Sequence, residues 1–231
     1  MTLAEKVYDL LRRDIVSGAL PGGQPLRLEP LRQRYGAGFS PLREALNRLQ
    51  AERLVVQAPL RGFSVAPISR AEMWDAIETR ITIETEALRR AIARGDDGWE
   101  ARIVGAFHAL SRQSARMGPR DRPGGEMHQA LEARHRAFHR ALIDACGSPR
   151  LLEFAERLHA ETERYRLPVL AGGGAGGGRD VPGEHRALME AALARHADQA
   201  AALLAAHYRR TGATLEAQFA ESPAPASPET A

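Results

Sequence analysis

Between Ser40 and Ala51 the chain reads SPLREALNRLQA, and this stretch restricts what the chain can fold into more than any other. Leu42, Ala45, Leu46 and Leu49 recur at helical spacing, so they form one apolar stripe that must be buried against a partner. Arg43, Asn47 and Gln50 stand at i, i+4 and i+7 on the opposite face and point outward. Ser40 is expected to cap the helix and Pro41 to take its first position, while Glu44 favours the positive end of the helix dipole. A short helix with an apolar back and an Arg-Asn-Gln front suits the DNA major groove, where Arg pairs with guanine and Asn or Gln with adenine. The same face also serves as the solvated side of an ordinary amphipathic helix, so its neighbours must decide.

Those neighbours form a pattern. Leu3, Val7, Leu10, Leu11 and Ile15 mark a first helix that ends at Ser17-Gly18, before the turn Ala19-Leu20-Pro21-Gly22-Gly23. A short second helix runs from Glu29 to Tyr35 and closes at Gly36-Ala37-Gly38. Two short helices joined by a Gly-containing turn follow the helix-turn-helix plan. After Ala51, Leu54-Val55-Val56 and Phe63-Ser64-Val65 read as two strands about the turn Ala58-Pro59-Leu60-Arg61-Gly62, a β-hairpin wing. Arg61-Gly62 at its tip can reach a groove or a phosphate. The expected DNA-facing set is therefore Ser40, Pro41, Arg43, Asn47, Arg61 and Gly62.

Charge points the same way. Residues 1–70 hold 11 Lys and Arg against 6 Asp and Glu, whereas the rest hold 21 against 23. Lys6 is the one lysine in that basic part, and Arg suits bidentate recognition of phosphates and bases. No apolar run reaches the roughly 18 residues that span a membrane, and the first residues lack a signal peptide's pattern, so a cytoplasmic protein is expected. The single cysteine, Cys146, excludes an internal disulfide and a Cys-cluster zinc site, and reads as a packed thiol.

Ile15, Gly18, Leu20-Pro21-Gly22, Pro41-Leu42-Arg43-Glu44-Ala45-Leu46 with Leu49, Leu54-Val55, and Arg61-Gly62 with Val65 together resemble the winged helix-turn-helix of GntR-family bacterial transcription regulators. The likeness covers about the first 68 residues. It departs at Gly38-Phe39-Ser40, where the family usually has Ser-Arg-Thr, so Phe39 stands in place of an Arg that the family sets against DNA.

Residues 66 to 70 read as a linker, with Ser69 capping the next helix, and beyond it only helices are expected. They run from about Arg70 to Arg94, Gly98 to Met117, Glu126 to Ala145, Pro149 to Leu167, Pro182 to Arg195 and Ala197 to Ala220. Ala171 to Gly178 reads as a flexible loop and Glu221 to Ala231 as a disordered tail. The expected fold is thus mainly α, with a winged helix-turn-helix over residues 1–68, an all-helical bundle over 69–221 and a tail over 222–231. Within the GntR family the helical half resembles the FCD effector-binding domain of the FadR subfamily, through Arg80 and Glu84, Phe138-His139 with Leu142, Gly147 and Pro149, Glu184-His185 and His207.

All eight histidines lie beyond residue 107. His135 and His139, at i and i+4, share a helix face and can bite one ion; the same spacing also fits two surface neighbours. The resemblance implies more: metal-binding FCD domains use an Asp-x-x-x-His pair and two later histidines, which match His139, His185 and His207, with His135 standing where the family has Asp. A neutral four-His shell leaves an ion its full charge. Imidazole suits borderline metals, so zinc is the first expectation, with nickel or another transition metal as alternatives. Arg80 then serves either as the anchor of a small carboxylate effector or as the packed partner of Glu84. His108, His128, His159 and His196 match no ligand position and read as ordinary polar residues.

The leading functional reading is a homodimeric DNA-binding regulator, a repressor by type, on a pseudo-palindromic double-stranded operator, answering to a small organic acid and having no membrane partner. One alternative is a metal-dependent hydrolase with Glu132 or Glu184 as base, against which stands the absence of His-Glu-x-x-His. The other is a metal-free, FadR-like acyl-CoA sensor, which the histidines disfavour.

Overall fold

The computed structural model describes residues 2–58, 62–118, 125–171 and 179–221. Arg61, the glycine run and the tail therefore lie outside the described residues. The chain is mainly helical, with one small sheet, in the order α1 (Leu3–Val16), β1 (Pro25–Leu26), α2 (Leu28–Tyr35), α3 (Phe39–Ala51), β2 (Val55–Ala58), β3 (Gly62–Val65), α4 (Arg70–Arg94), α5 (Asp97–Arg116), α6 (Glu126–Ile143), α7 (Pro149–Ala171), α8 (Val181–Leu193) and α9 (Ala197–Glu221).

Two hydrophobic clusters divide these elements. The first gathers Val7, Leu11 and Ile15 of α1, Leu31 of α2 and the whole stripe Leu42, Ala45, Leu46 and Leu49 of α3, with Leu54, Val55 and Val65. Burying that stripe turns Arg43, Asn47 and Gln50 outward, and all three are exposed. Gly36 ends α2 in the left-handed region at φ 61°, where its amide caps Arg32; a side chain there is strained, so the tight turn into α3 depends on it.

The start of α3 differs from the expectation. Gly38 is the cap residue, the first helical hydrogen bond runs from the Leu42 amide to the Gly38 carbonyl, and Ser40 and Pro41 sit inside the first turn. Pro is tolerated there because first-turn amides have no helical acceptor. The wing also has a third strand. β1 pairs antiparallel with β3, and β3 with β2, giving the order β1-β3-β2. At two residues, β1 is too short to display the alternation by which strands are recognised.

The second cluster fills the helical half, with Met73, Ile77, Leu88 and Ile92 of α4, Trp99 and Ile103 of α5, Phe138 and Leu142 of α6, and Leu188, Leu204 and Leu215 of α8 and α9. Ser69 caps α4, its hydroxyl accepting from the Glu72 amide at 3.3 Å. Cys146 lies buried in a 3-10 turn after α6. Helices α4 and α9 pack closely at Gly212, where an added Cβ would meet the Trp74 ring at 2.7 Å and Ile77 Cδ1 at 2.9 Å. Gly212→Val is therefore expected to destabilise the protein by about 2 kcal/mol, the usual scale of overpacking, read as a lower urea midpoint.

The two halves touch through α7. Arg12 of α1 donates to Glu163 at 2.6 Å, and Arg164 donates to the carbonyls of Ala66 and, at 3.1 Å, Pro67 in the connecting segment.

Candidate functional site

The first surface of interest lies on the N-terminal half. Helix α3 presents Arg43 and Asn47 to solvent, and both line a shallow cleft with Arg27, Gln57, Gly62 and Phe63, which brings the outward helix face beside the sheet. Ser40 is exposed and Pro41 half-buried, while Gly62 opens β3 opposite Ala58. Arg61 falls outside the described residues. Arg48 is occupied elsewhere, its guanidinium 3.7 Å above the Tyr8 ring.

The second lies where α6, α8 and α9 converge. His135 and His139 share one face of α6, as four-residue spacing requires, with their Nε2 atoms 3.1 Å apart. His185 comes from α8 and His207 from α9, and one ring nitrogen from each of the four lies within 4.8 Å of the others. His139, His185 and His207 are buried, and His135 nearly so. Ligands about 2.1 Å from one zinc ion stand roughly 3.0–3.4 Å from each other, so the His135–His139 pair already has the spacing of two ligands.

Surrounding groups fix the rings. His207 Nδ1 lies 2.8 Å from Glu184 Oε2, which leaves its Nε2 for a ligand role, the carboxylate–histidine arrangement common at metal sites. His139 Nδ1 lies 3.0 Å from the Tyr208 hydroxyl, which itself donates to Glu84. His185 Nε2 and His135 Nδ1 are buried without a hydrogen-bond partner, and a buried polar atom left so is costly unless something satisfies it. Four converging imidazoles, two of them with an unpartnered buried nitrogen, suit a borderline divalent metal.

Electrostatics keeps these rings neutral and ligand-ready. Burial pushes His135 and His139 well below the ordinary histidine pKa, reinforced by the charge of Arg166 at His135 and by the neighbouring histidines at His139. His185 is pushed down to about 3, mainly by burial. Burial also lowers His207, although its bond to Glu184 opposes the shift. Burial alone would raise Glu184, but hydrogen bonds from His207, Arg179 and Arg210 outweigh it and hold the carboxylate ionised.

A cavity of about 190 Å³ opens against His135, His185 and His207, with Phe107, Leu110 and Leu131 on an apolar wall and Arg80, Arg166 and Arg179 on a polar one. His139 lies behind it, facing a smaller cleft. Arg80 is 2% exposed and combines the two roles the sequence left open: it lines the cavity, and it donates to Glu84 at 2.5 Å and to Thr162 at 3.0 Å. His159, read from sequence as an ordinary polar residue, is buried with Nδ1 3.0 Å from Arg80. Sequence reasoning also missed Thr162, Arg166, Arg179 and Tyr208, which reach the cavity from α7, α9 and the segment before α8. None belongs to a local motif, so no signal in the sequence marked them.

Comparison with known proteins gives the family. Residues 3–65 match the gntR family of bacterial regulatory proteins, and residues 75–210 match the FCD domain. The chain belongs to the GntR family of transcription regulators. It is 40% identical over 207 residues to the HTH-type transcriptional regulator BphR of Paraburkholderia xenovorans (strain LB400), spanning 89% of this chain and 82% of that protein. It is 36% identical over 205 residues to the HTH-type transcriptional repressor GlaR of Escherichia coli (strain K12), spanning 87% and 90%. The fold is similar to that of E. coli McbR/YncC, with a TM-score of 0.74 over 95% of this chain and 99% of that one at 22% identity.

As a GntR-family member the protein is a DNA-binding transcription regulator, and its relatives and both matched domains are those of regulators rather than enzymes. The carboxylates considered as hydrolytic bases are engaged: Glu132 accepts from Arg166 at 2.8 Å, and Glu184 from Arg179 at 2.7 Å. No helix among the described residues is long and apolar enough to cross a membrane.

The depressed histidine pKa values fix a sign for pH dependence. An imidazole of the unfolded regulator takes up a proton near pH 6.5, whereas the buried ones resist it. The stability of chelator-treated protein is therefore full above pH 6.5 and falls as pH drops below it. At pH 5.5 the expected loss is on the order of 1 kcal/mol per such imidazole, checked by urea unfolding at pH 7.5 and 5.5.

Proposed function

We propose that the regulator is a two-fold dimer whose α3 helices read a pseudo-palindromic operator, and whose helical half, from about residue 69, binds a divalent metal and a small carboxylate effector that alters operator binding. The observation that carries the ligand reading is the meeting of four buried or nearly buried imidazoles, with nitrogens within 4.8 Å of one another, at the wall of a cavity. His135, His139, His185 and His207 would hold the ion, with zinc or nickel suited to such donors. When bound, the ion supplies a positive centre for a carboxylate.

The cavity's size supports a small acid over an acyl chain, since pockets for larger organic ligands run to about 300–1,000 Å³. Its three arginines are largely spent on their own carboxylates, Arg80 on Glu84, Arg166 on Glu132 and Arg179 on Glu184. An anion is thus drawn chiefly to the ion, and Arg80 and Thr162 orient it. Repression is the expected sign of regulation, the role named for the E. coli relative GlaR.

Two measurements test this reading. Titration of small mono- and dicarboxylic acids into the zinc-loaded and the chelator-treated protein should give binding in the first alone; equal binding to both contradicts it. A single α3 covers too few base pairs for a specific site, so sedimentation should give a dimer at micromolar concentration, free and on DNA.

A further inference from the structure

Phe39 is the first residue of α3 and leaves 48% of its surface in water, although the other large apolar side chains of that helix are wholly buried. Four-residue steps put Phe39, Arg43 and Asn47 in one row along the helix. The N-terminal residues of a recognition helix are the ones that contact base edges in the major groove. Phe39 is therefore the apolar member of a row whose other members are suited to hydrogen-bonded base reading.

The ring also has a cationic neighbour. The Arg32 guanidinium stands 5.7 Å from the ring centre, and is itself tied to Glu29 by three hydrogen bonds of 2.7 to 3.1 Å. A cation within about 6 Å of an aromatic face is attracted to it, weakly at an exposed site such as this. In the major groove one apolar group distinguishes bases, the C5 methyl of thymine, and Phe is among the side chains that contact it.

We infer that Phe39 reads a thymine methyl group in each operator half-site, adding an apolar determinant to the polar ones of Arg43 and Asn47. The inference rests on the reading of α3 as the recognition helix and deepens it.

The test begins with selection of binding sites from a random DNA pool by the full-length protein. Each thymine of the selected half-site is then replaced in turn by deoxyuridine, which removes only the methyl group. For the wild type, replacing the contacted thymine in one half-site should weaken binding about fourfold, the worth of one buried methyl, and replacing it in both about sixteenfold. Phe39→Ala should bind the thymine and deoxyuridine sites equally, whereas Arg43→Ala should bind more weakly yet keep the methyl effect. Phe39 is half-exposed, so circular dichroism melting of Phe39→Ala should match the wild type. The inference is overturned if no thymine of the wild-type site is methyl-sensitive, or if the sensitivity survives in Phe39→Ala. Failure of the wild type to select any sequence overturns the recognition-helix reading itself, a different result from selection without methyl dependence.

Discussion

His139→Ala is expected to abolish the stabilisation that zinc gives the wild type. An ion bound to the folded state alone stabilises it by about 2.7 kcal/mol at a hundredfold excess over its dissociation constant. His139 contributes one of two imidazoles whose Nε2 atoms lie 3.1 Å apart, so its removal halves the α6 contribution to the site. Carboxylate binding should disappear with the metal, because the three cavity arginines are each engaged by a glutamate. His139→Ala also strips the Tyr208 hydroxyl of a buried partner, so its melting temperature without zinc should fall as well. His135→Asp separates the two effects: it supplies a carboxylate ligand, so the zinc-induced shift should persist, while the added negative charge weakens an anionic effector. Thermal melts of the three proteins with chelator, with zinc, and with zinc plus a small carboxylic acid measure both. An equal zinc shift in wild type and His139→Ala would exclude His139 as a ligand.

Arg43→Ala is expected to weaken specific operator binding by about 1–3 kcal/mol and to relax one base position in each half-site. The side chain is exposed on α3 and lines the cleft beside the wing, and truncating it opens no cavity, so the fold should be unaffected. Competition between selected and scrambled DNA checks this: loss on the selected site alone marks base reading, whereas equal loss on both marks a phosphate contact. Arg80→Ala, by contrast, is a poor probe of effector binding. It leaves Glu84 buried without its cation, which costs on the order of 3–5 kcal/mol and unsettles the helical core before any ligand is considered.

Periodicity made most of the fold legible. The stripe Met73, Ile77, Ile81, Leu88 and Ile92 with a Ser cap defines α4 to both ends, because burial of one face and capping are local properties of the sequence. Strand β1 was hidden because two residues acquire strand geometry only from their partner, here Phe63 and Ser64. The start of α3 was misread by two residues because Ser40-Pro41 fits a cap as well as it fits a first turn. In the site, the pair His135 and His139 is visible from spacing. His185 and His207, on the last two helices, can complete the site by position and are matched to ligands by the family likeness, whereas nothing marks Tyr208, Arg166 and Arg179, since their meeting is made by the packing of α6 to α9. His159 shows the converse, a residue that spacing left ordinary and burial beside Arg80 makes structural.

The central claim, that this regulator's helical half is built around one metal ion, is tested most directly by elemental analysis of protein purified without chelator or affinity metal. One transition-metal ion per chain, regained after chelation from micromolar zinc or nickel, is the expected result. A chain that carries no stoichiometric metal and takes up neither would contradict it, and would leave the four imidazoles as a buried polar cluster.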